Sequence, residues 1–386
     1  MAAEDMMATT VKIDLPDNNL LAAFRHLARS ILEIEEISAI LVPQRLPMKA
    51  MVMPVLVSDP EKLDGIDPLA PSFTLNAAKV VSKLTRRLTG ETIAVLLRPC
   101  EIRAFVELVK LKQGRREDVL IIGCDCLGAY ANTDYFAFAK ERGASATAAF
   151  VETALSGRPG PEQSIDLAPA CGVCEQFVPE GADLAVSLFG EDITAHLPMR
   201  ALTPAGEQIA DRLALAPGEV SASRESVVEQ RLKQHQAARD RMFAATAEAT
   251  NSLAKLCGYL ANCINCYNCR VACPVCYCRE CVFVTDVFDH DPAQYLGWAK
   301  RKGAVKMPTD TAFYHLTRLA HMSTACVGCG QCSNACPNDV PVMELFRMLS
   351  ARTQAAFDYH PGIRVEDRPP LAVFKEDEYQ DVVGID

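Results

Sequence analysis

Twelve of the chain's 17 cysteines fall between residues 257 and 336, and this crowding limits the fold more than any other feature. Two runs stand out: Cys263-Ile-Asn-Cys266-Tyr-Asn-Cys269-Arg-Val-Ala-Cys273-Pro274 and Cys326-Val-Gly-Cys329-Gly-Gln-Cys332-Ser-Asn-Ala-Cys336-Pro337. Both have the C-x₂-C-x₂-C-x₃-C-P spacing of bacterial two-cluster [4Fe–4S] proteins. Three thiolates at two-residue gaps wrap one face of a cubane, and the following turn carries the fourth cysteine away to the other cluster. The spacing therefore assigns Cys263, Cys266, Cys269 and Cys336 to one cluster, and Cys326, Cys329, Cys332 and Cys273 to a second. Structural zinc, which takes tetrahedral sites from two separated cysteine pairs, does not account for a triple run closed by Cys-Pro. The long stretch between the runs holds a helical-looking segment, Thr311 to Met322, so a helical ferredoxin is expected rather than a compact β-containing one.

Directly after the first run comes Pro274-Val-Cys276-Tyr-Cys278-Arg-Glu-Cys281. These three thiols either complete a further cluster with a remote ligand, exchange roles with their neighbours, or are free buried thiols. Cys257, on the connector, is a candidate fourth ligand but reads more as a packed thiol. Five cysteines precede residue 250: Cys100, Cys124, Cys126, Cys171 and Cys174. Two strand-like runs end at them, Val95-Leu96-Leu97-Arg98-Pro99-Cys100 and Leu120-Ile121-Ile122-Gly123-Cys124-Asp125-Cys126. Ligands of α/β sheets gather at the carboxyl ends of strands. Cys100, Cys126, Cys171 and Cys174 are therefore expected to converge on a third metal site, either iron–sulfur or zinc. Cys124 lies two residues from Cys126 and is left out of that set.

The first 200 residues alternate helical and strand patterns. Helical stripes are read at Asn19–Ile34, Lys79–Leu88 and Glu101–Lys110, and strands at Ile37–Val42 (stopped by Pro43), Met51–Val57, Thr92–Leu97 and Val119–Ile122. Such alternation predicts an α/β domain with at least partly parallel strands over residues 1–215. A charged, Ala-rich helical connector is expected over 216–256, a mainly α-helical dicluster ferredoxin domain over 257–350, and an extended tail over 351–386. Trp298, His315 and His321 read as packing or hydrogen-bonding groups rather than ligands.

With 39 basic and 49 acidic residues, the formal charge of −10 speaks against a nucleic-acid partner. The acidic Met1–Met7 lacks the features of a secretory signal, and no run of about 18 apolar residues suggests a transmembrane helix. A cytoplasmic, reducing setting is expected, where clustered cysteines mean metal or redox chemistry.

At these residues the chain resembles the beta subunits of coenzyme F420-dependent formate dehydrogenases and, more broadly, of F420-reducing hydrogenases. The matching stretches are Arg98-Pro99-Cys100-Glu101-Ile102-Arg103-Ala104, Ile122-Gly123-Cys124-Asp125-Cys126, Cys171-Gly-Val-Cys174-Glu175 with Ala182-Asp183-Leu184, Cys263 through Cys281, and His315-Leu316-Thr317-Arg318 through Cys336-Pro337. The resemblance implies an α/β flavin domain with one [4Fe–4S] cluster joined to a dicluster ferredoxin domain, and a separate catalytic subunit. The chain departs from the family where a Cys-Gly-Gly sequence opens a helix close to the flavin. Here Asp17-Asn18-Asn19-Leu20-Leu21 takes that place. Glycine lets backbone approach phosphate groups closely, so a weakened or lost FAD site is expected. The leading expectation is an iron–sulfur electron-transfer subunit of a multi-subunit oxidoreductase. It would hold two or three [4Fe–4S] clusters, or four with Cys276, Cys278 and Cys281, and partner a formate dehydrogenase- or hydrogenase-type catalytic subunit or heterodisulfide-reductase-like subunits. One alternative is a flavoenzyme subunit that reduces F420 or a nicotinamide with FAD; another is a cluster-bearing structural or regulatory protein.

Overall fold

The computed structural model describes residues 9–47, 51–156, 165–194 and 196–372. The readings of Met1–Met7 and of the acidic end of the tail lie outside the described residues. The amino-terminal half is built on a seven-stranded sheet with spatial order β1-β7-β6-β5-β4-β2-β3. Its strands are β1 (Thr10–Asp14), β2 (Ile37–Arg45), β3 (Val52–Val57), β4 (Thr92–Leu97), β5 (Val119–Cys124), β6 (Leu184–Val186) and β7 (His196–Ala201). The central strands β2, β4, β5 and β6 run parallel, and antiparallel pairs close both sides. The helices are α1 (Leu20–Leu32), α2 (Ala78–Leu84), α3 (Pro99–Lys110), α4 (Asn132–Arg142), α5 (Ala146–Ser156), α6 (Pro169–Gly172) and α7 (Pro204–Arg212). A long helix, α8 (Arg224–Thr250), leads to α9 (Leu253–Tyr259), α10 (Asn268–Ala272), α11 (Pro292–Lys302), α12 (Thr311–Met322), α13 (Gln331–Asn334) and α14 (Val342–Ala356). The fold is thus an α/β region followed by a helical one.

Period-two alternation in the parallel strands feeds two cores. Ala94 and Leu96 of β4 and Leu120 and Ile122 of β5 face α1 and its neighbours. Val95, Leu97, Val119 and Ile121 face the other way, toward α2 and α3. That second core continues without a break into the cysteine-rich region, through Leu260, Val275, Leu319, Met322, Val327, Val340 and Phe346.

Several boundaries differ from the sequence reading. Pro43 does not stop β2; the strand runs on to Arg45 by pairing with β3, Pro43 opposite Pro54. Its parallel pairing with β4 ends at Leu41, so the prolines lie where the ladder has only two strands and a missing N–H costs little. Helix α2 ends at Leu84 because Leu88, 65% exposed, has no core to enter. Strands β1, β6 and β7 carry no clear sequence signal because they are short and β7 contains Pro198. Helix α14 continues past residue 350 to Ala356, carried by Ser350 and earlier residues that stay buried, so the extended segment begins later than expected.

That segment is fastened to α3 by a buried polar cluster. The Glu107 carboxylate accepts hydrogen bonds from Lys110 Nζ at 2.8 Å, from the Tyr359 hydroxyl at 2.7 and 2.9 Å, and from the Gly362 amide at 2.6 Å. The Glu107 and Lys110 side chains are 0% and 1% exposed. One turn away, Arg103 donates to the Pro361 carbonyl at 2.8 and 3.0 Å and to the Val327 carbonyl at 3.1 Å. Gly362, at φ +76°, is the one residue type this contact admits, since a Cβ there would stand 2.4 Å from the Arg103 carbonyl oxygen. Removing one member of a buried ion pair strands the other. Glu107→Gln should therefore cost about 3–5 kcal/mol, seen as a fall of several degrees in the thermal unfolding midpoint, whereas Tyr359→Phe should cost only about 1–2 kcal/mol.

Candidate metal centres

The amino-terminal cysteines meet at the carboxyl ends of the central strands. Cys100 occupies the first turn of α3, just beyond β4; Cys126 follows β5; Cys171 sits on α6 with Cys174 in the loop after it. All four line one cavity with Phe73, Arg98 and His235. Cys124, the last residue of β5, is 7% exposed and packs in the sheet core; alternation alone would put Cys126 on the same face, and Cys126 reaches the cavity because it lies beyond the end of the strand. Burial drives the Cys100 thiol well above its usual range, and charge on Glu101, Cys329, Cys126 and Cys174 adds to the shift. Burial pushes Cys171 up to about 12, with Cys126 and Cys174 acting in the same direction. Among the described residues no group of three or more histidine, cysteine, aspartate or glutamate side chains is arranged to hold a metal ion, so the four thiols share one cavity without forming a closed ligand cage.

Three elements hold this set. Asp125, between the two strand-end cysteines, accepts amides from Leu188 at 2.8 Å and Phe189 at 3.1 Å and is gripped by both terminal nitrogens of Arg224, the first residue of α8. His235 of α8 pairs through Nδ1 with the Cys174 carbonyl at 2.5 Å, and burial lowers its pKa. Glu175 is paired with Arg239 of α8 and, at 3.0 Å, with Arg347 of α14. The C-x₂-C loop is thus clamped between the sheet and the helical region. None of these clamps could be found by local pattern, because Arg224 and Asp125 lie 99 residues apart.

The carboxyl-terminal runs share a local build. In each, the residue before the second cysteine and the residue before the third-cysteine helix are left-handed: Asn265 (φ 51°) and Tyr267 (φ 61°) in one, Gly328 (φ 71°) and Gly330 (φ 75°) in the other. Two left-handed residues at matched positions give the two runs the same backbone turn. Cys269 then sits on α10 and Cys332 on α13, which pack together. Glycine takes this backbone freely; Asn265 is held there by Asp310 at 2.8 Å and Thr311 at 2.9 Å. Gly330 has a second constraint, since a Cβ would lie 2.3 Å from that of Ala170, beside Cys171. The second run is in this way pressed against the amino-terminal set, and Cys329 lines the same cavity as Cys100 and Cys174.

Thiols of each run also respond to charge on cysteines of the other run. Apart from its burial and a backbone hydrogen bond, the Cys263 thiol responds to Cys269 and then, beyond Lys306, to Cys336 of the other run. Burial raises Cys273 to about 11, opposed by Arg318 and reinforced by Cys326 and Cys276. Cys329 and Cys332 are raised by burial, and both respond to Cys273 and Cys326. Helix α12 lines the first set: Tyr314 hydroxyl stands 3.2 Å from Cys269 Sγ and His315 Nε2 3.3 Å from Cys263 Sγ. Burial brings the His315 imidazole down to about 4, which keeps it neutral near pH 7.

Cys276, Cys278 and Cys281 are distributed differently. Cys276 packs into the core beside Cys273, Cys281 packs with Phe283 and Tyr314 beside Cys269, and Cys278 is exposed. Cys257 is exposed rather than packed, because α9 turns that face outward. At the helix opening where glycines were expected to matter, Asp17 and Asn18 adopt left-handed φ values of 53° and 54°, and Asn19 caps α1 by accepting the Ala22 amide at 3.1 Å. Residues 15–21 are not among those lining the cavities at the amino-terminal cysteines.

Residues 259–340 match the family model for a 4Fe-4S dicluster domain. Among curated proteins, the chain is 26% identical over 322 residues to the F420-dependent formate dehydrogenase subunit beta of Methanocaldococcus jannaschii, covering 77% of this chain and 79% of that protein. It is 27% identical over 315 residues to the F420-dependent formate dehydrogenase 1 subunit beta of Methanococcus maripaludis, covering 74% and 76%. Among solved structures, a chain of the F420-reducing [NiFe] hydrogenase complex of Methanosarcina barkeri aligns at a TM-score of 0.45 and 13% identity, covering 66% of this chain and 97% of that one.

Exposure orders the thiols by reactivity. Under anaerobic alkylation of the native protein, the exposed Cys257 and Cys278 should be modified early and Cys124 only after unfolding; peptide mass spectrometry reads all three positions. Early loss of the Cys124 thiol would contradict its place in the core. Over about three quarters of its length the chain is similar to beta subunits of F420-dependent formate dehydrogenases, and within that length lies a 4Fe-4S dicluster domain.

Proposed function

We propose that this chain is the iron–sulfur electron-transfer subunit of an oxidoreductase of the formate dehydrogenase type. The observation that carries the reading is the position of Cys329, which belongs to the second dicluster run and also lines the cavity of Cys100, Cys126, Cys171 and Cys174. The thiol sets therefore form a continuous series: Cys263, Cys266, Cys269 and Cys336; then Cys273, Cys326, Cys329 and Cys332; then Cys100, Cys126, Cys171 and Cys174. Iron–sulfur clusters bound there would accept and donate single electrons at potentials set by burial, charge and hydrogen bonds to sulfur. The chain's own residues contribute the insulation and the donors. Val327, Val340 and Phe346 are buried in the core against which cysteines of both runs pack, and Tyr314 and His315 touch the first set. Cys276 and Cys281 flank two of the sets as reserve or packing thiols rather than completing a fourth.

A catalytic subunit is part of this reading, as the relatives are named as subunits. Most of the exposed large apolar side chains among the described residues fall between Leu253 and Leu316, including Ile264, Val271, Val287, Leu296 and Phe313. Apolar surface of that kind is what a partner subunit covers. No described helix is long and apolar enough to cross a membrane.

Anaerobically purified full-length protein should contain about twelve irons and about twelve sulfides per chain, four of each per thiol set. Zinc in place of iron would overturn the reading. Cys336→Ser should alter the spectroscopic signature of the site holding Cys263, and a change confined to the site after Cys326 would disprove the crossed assignment. Acid extraction and chromatography separate this reading from the flavoenzyme one: a relay subunit yields little or no FAD, whereas one FAD per chain would assign hydride chemistry to this chain.

A further inference from the structure

Arg318 of α12 is only 4% exposed, yet it forms no ion pair with a carboxylate among the described residues. Its Nη2 donates to the Cys269 carbonyl at 3.2 Å. Its Nε and Nη1 are buried and have no hydrogen-bond partner. The faces of the guanidinium are covered by the rings of Phe346, 4.8 Å away, and Tyr314, 5.7 Å away. A buried cation with two idle donors is costly unless something anionic receives them. The groups whose charged forms act on it most are Cys269 of the first set, Cys273 of the second, Tyr314, and Cys332 of the second. Arg318 therefore stands where the two dicluster thiol sets meet, with its free N–H groups unused by protein.

We propose that Arg318 is a cation shared by the two dicluster sites, donating Nε–H and Nη1–H to their sulfur atoms and raising the reduction potentials of both. The proposal rests on the iron–sulfur reading given above. Reduction adds negative charge to a site, and a nearby buried guanidinium stabilises the more negative state without the screening that solvent would supply. Hydrogen bonds to sulfur act in the same direction. Arginine suits the position because its planar fork presents separate donors in fixed directions, which an ammonium does not. Tyr314 and His315 differ from it in reaching only the first set, at Cys269 and Cys263.

Full-length wild type, Arg318→Gln, Arg318→Lys and Tyr314→Phe, prepared anaerobically, would be titrated potentiometrically with electron paramagnetic resonance as the readout and iron content as the check on loading. In Arg318→Gln both dicluster signals should need a lower potential, with the reduced-to-oxidised ratio at the wild-type midpoints falling about tenfold, or 59 mV for a one-electron couple. The signal of the Cys100 site should not move. Arg318→Lys should show smaller shifts of the same sign, and Tyr314→Phe should move only the first dicluster signal. Iron-replete Arg318→Gln with either dicluster potential unchanged would overturn the proposal. If that variant fails to retain iron, Arg318→Lys decides: unaltered potentials, or loss of the clusters there too, would make Arg318 a packing residue and overturn the proposal. Absence of iron from the wild type would instead defeat the iron–sulfur reading itself.

Discussion

The apolar layer between the α2–α3 face of the sheet and the helical region governs the rest of the molecule. Val95, Leu97, Ile102, Phe105 and Ile121 come from one side and Leu319, Met322, Val327 and Phe346 from the other, all buried. Each such side chain contributes about 1.5–3 kcal/mol when fully removed from water. Because the layer is continuous, the cysteine-rich region is not a bead on a linker. Its second run is pressed onto the strand ends, where Gly330 lies against Ala170 with no room for a Cβ.

Polar groups fix the register of that layer, since apolar contact alone has little directional preference. Glu107 and Arg103 on α3 bind the segment around Tyr359 and Gly362, while Arg103 also reaches the Val327 carbonyl beside the second cysteine run. On the opposite side, Asp125 and Glu175 tie the two cysteine loops of the sheet to α8 and α14. The amino-terminal thiol set is thereby held by helices that belong to the other half of the chain. Its preorganisation depends on long-range ion pairs, each of which is buried or half-buried and so resists screening by salt.

Much of the local structure could be read from the chain. Strands β4 and β5 were legible because each is a short apolar run ending in a helix-opening or cysteine-bearing segment, and α1 because its stripe has helical spacing behind Asn19. The run of β2 through Pro43 was not legible. Whether a proline ends a strand depends on which neighbour its missing N–H would have met, and that is a property of the sheet. The left-handed Asn265 and Tyr267 were equally hidden, because their glycine counterparts Gly328 and Gly330 announce the turn and they do not.

By itself the sequence determined the chemistry on offer: which cysteines are spaced to wrap a cluster, which strands end at thiols, and that the chain alternates toward an α/β region before a helical one. Those are short-range properties, fixed by the spacing of side chains along the backbone. Only the tertiary structure decided that Cys329 reaches the amino-terminal cavity and that Arg318 is buried with two donors to spare. Those facts depend on contacts between residues far apart in the chain, and burial, which sets the cost of an unpartnered charge, exists only once the layers have closed.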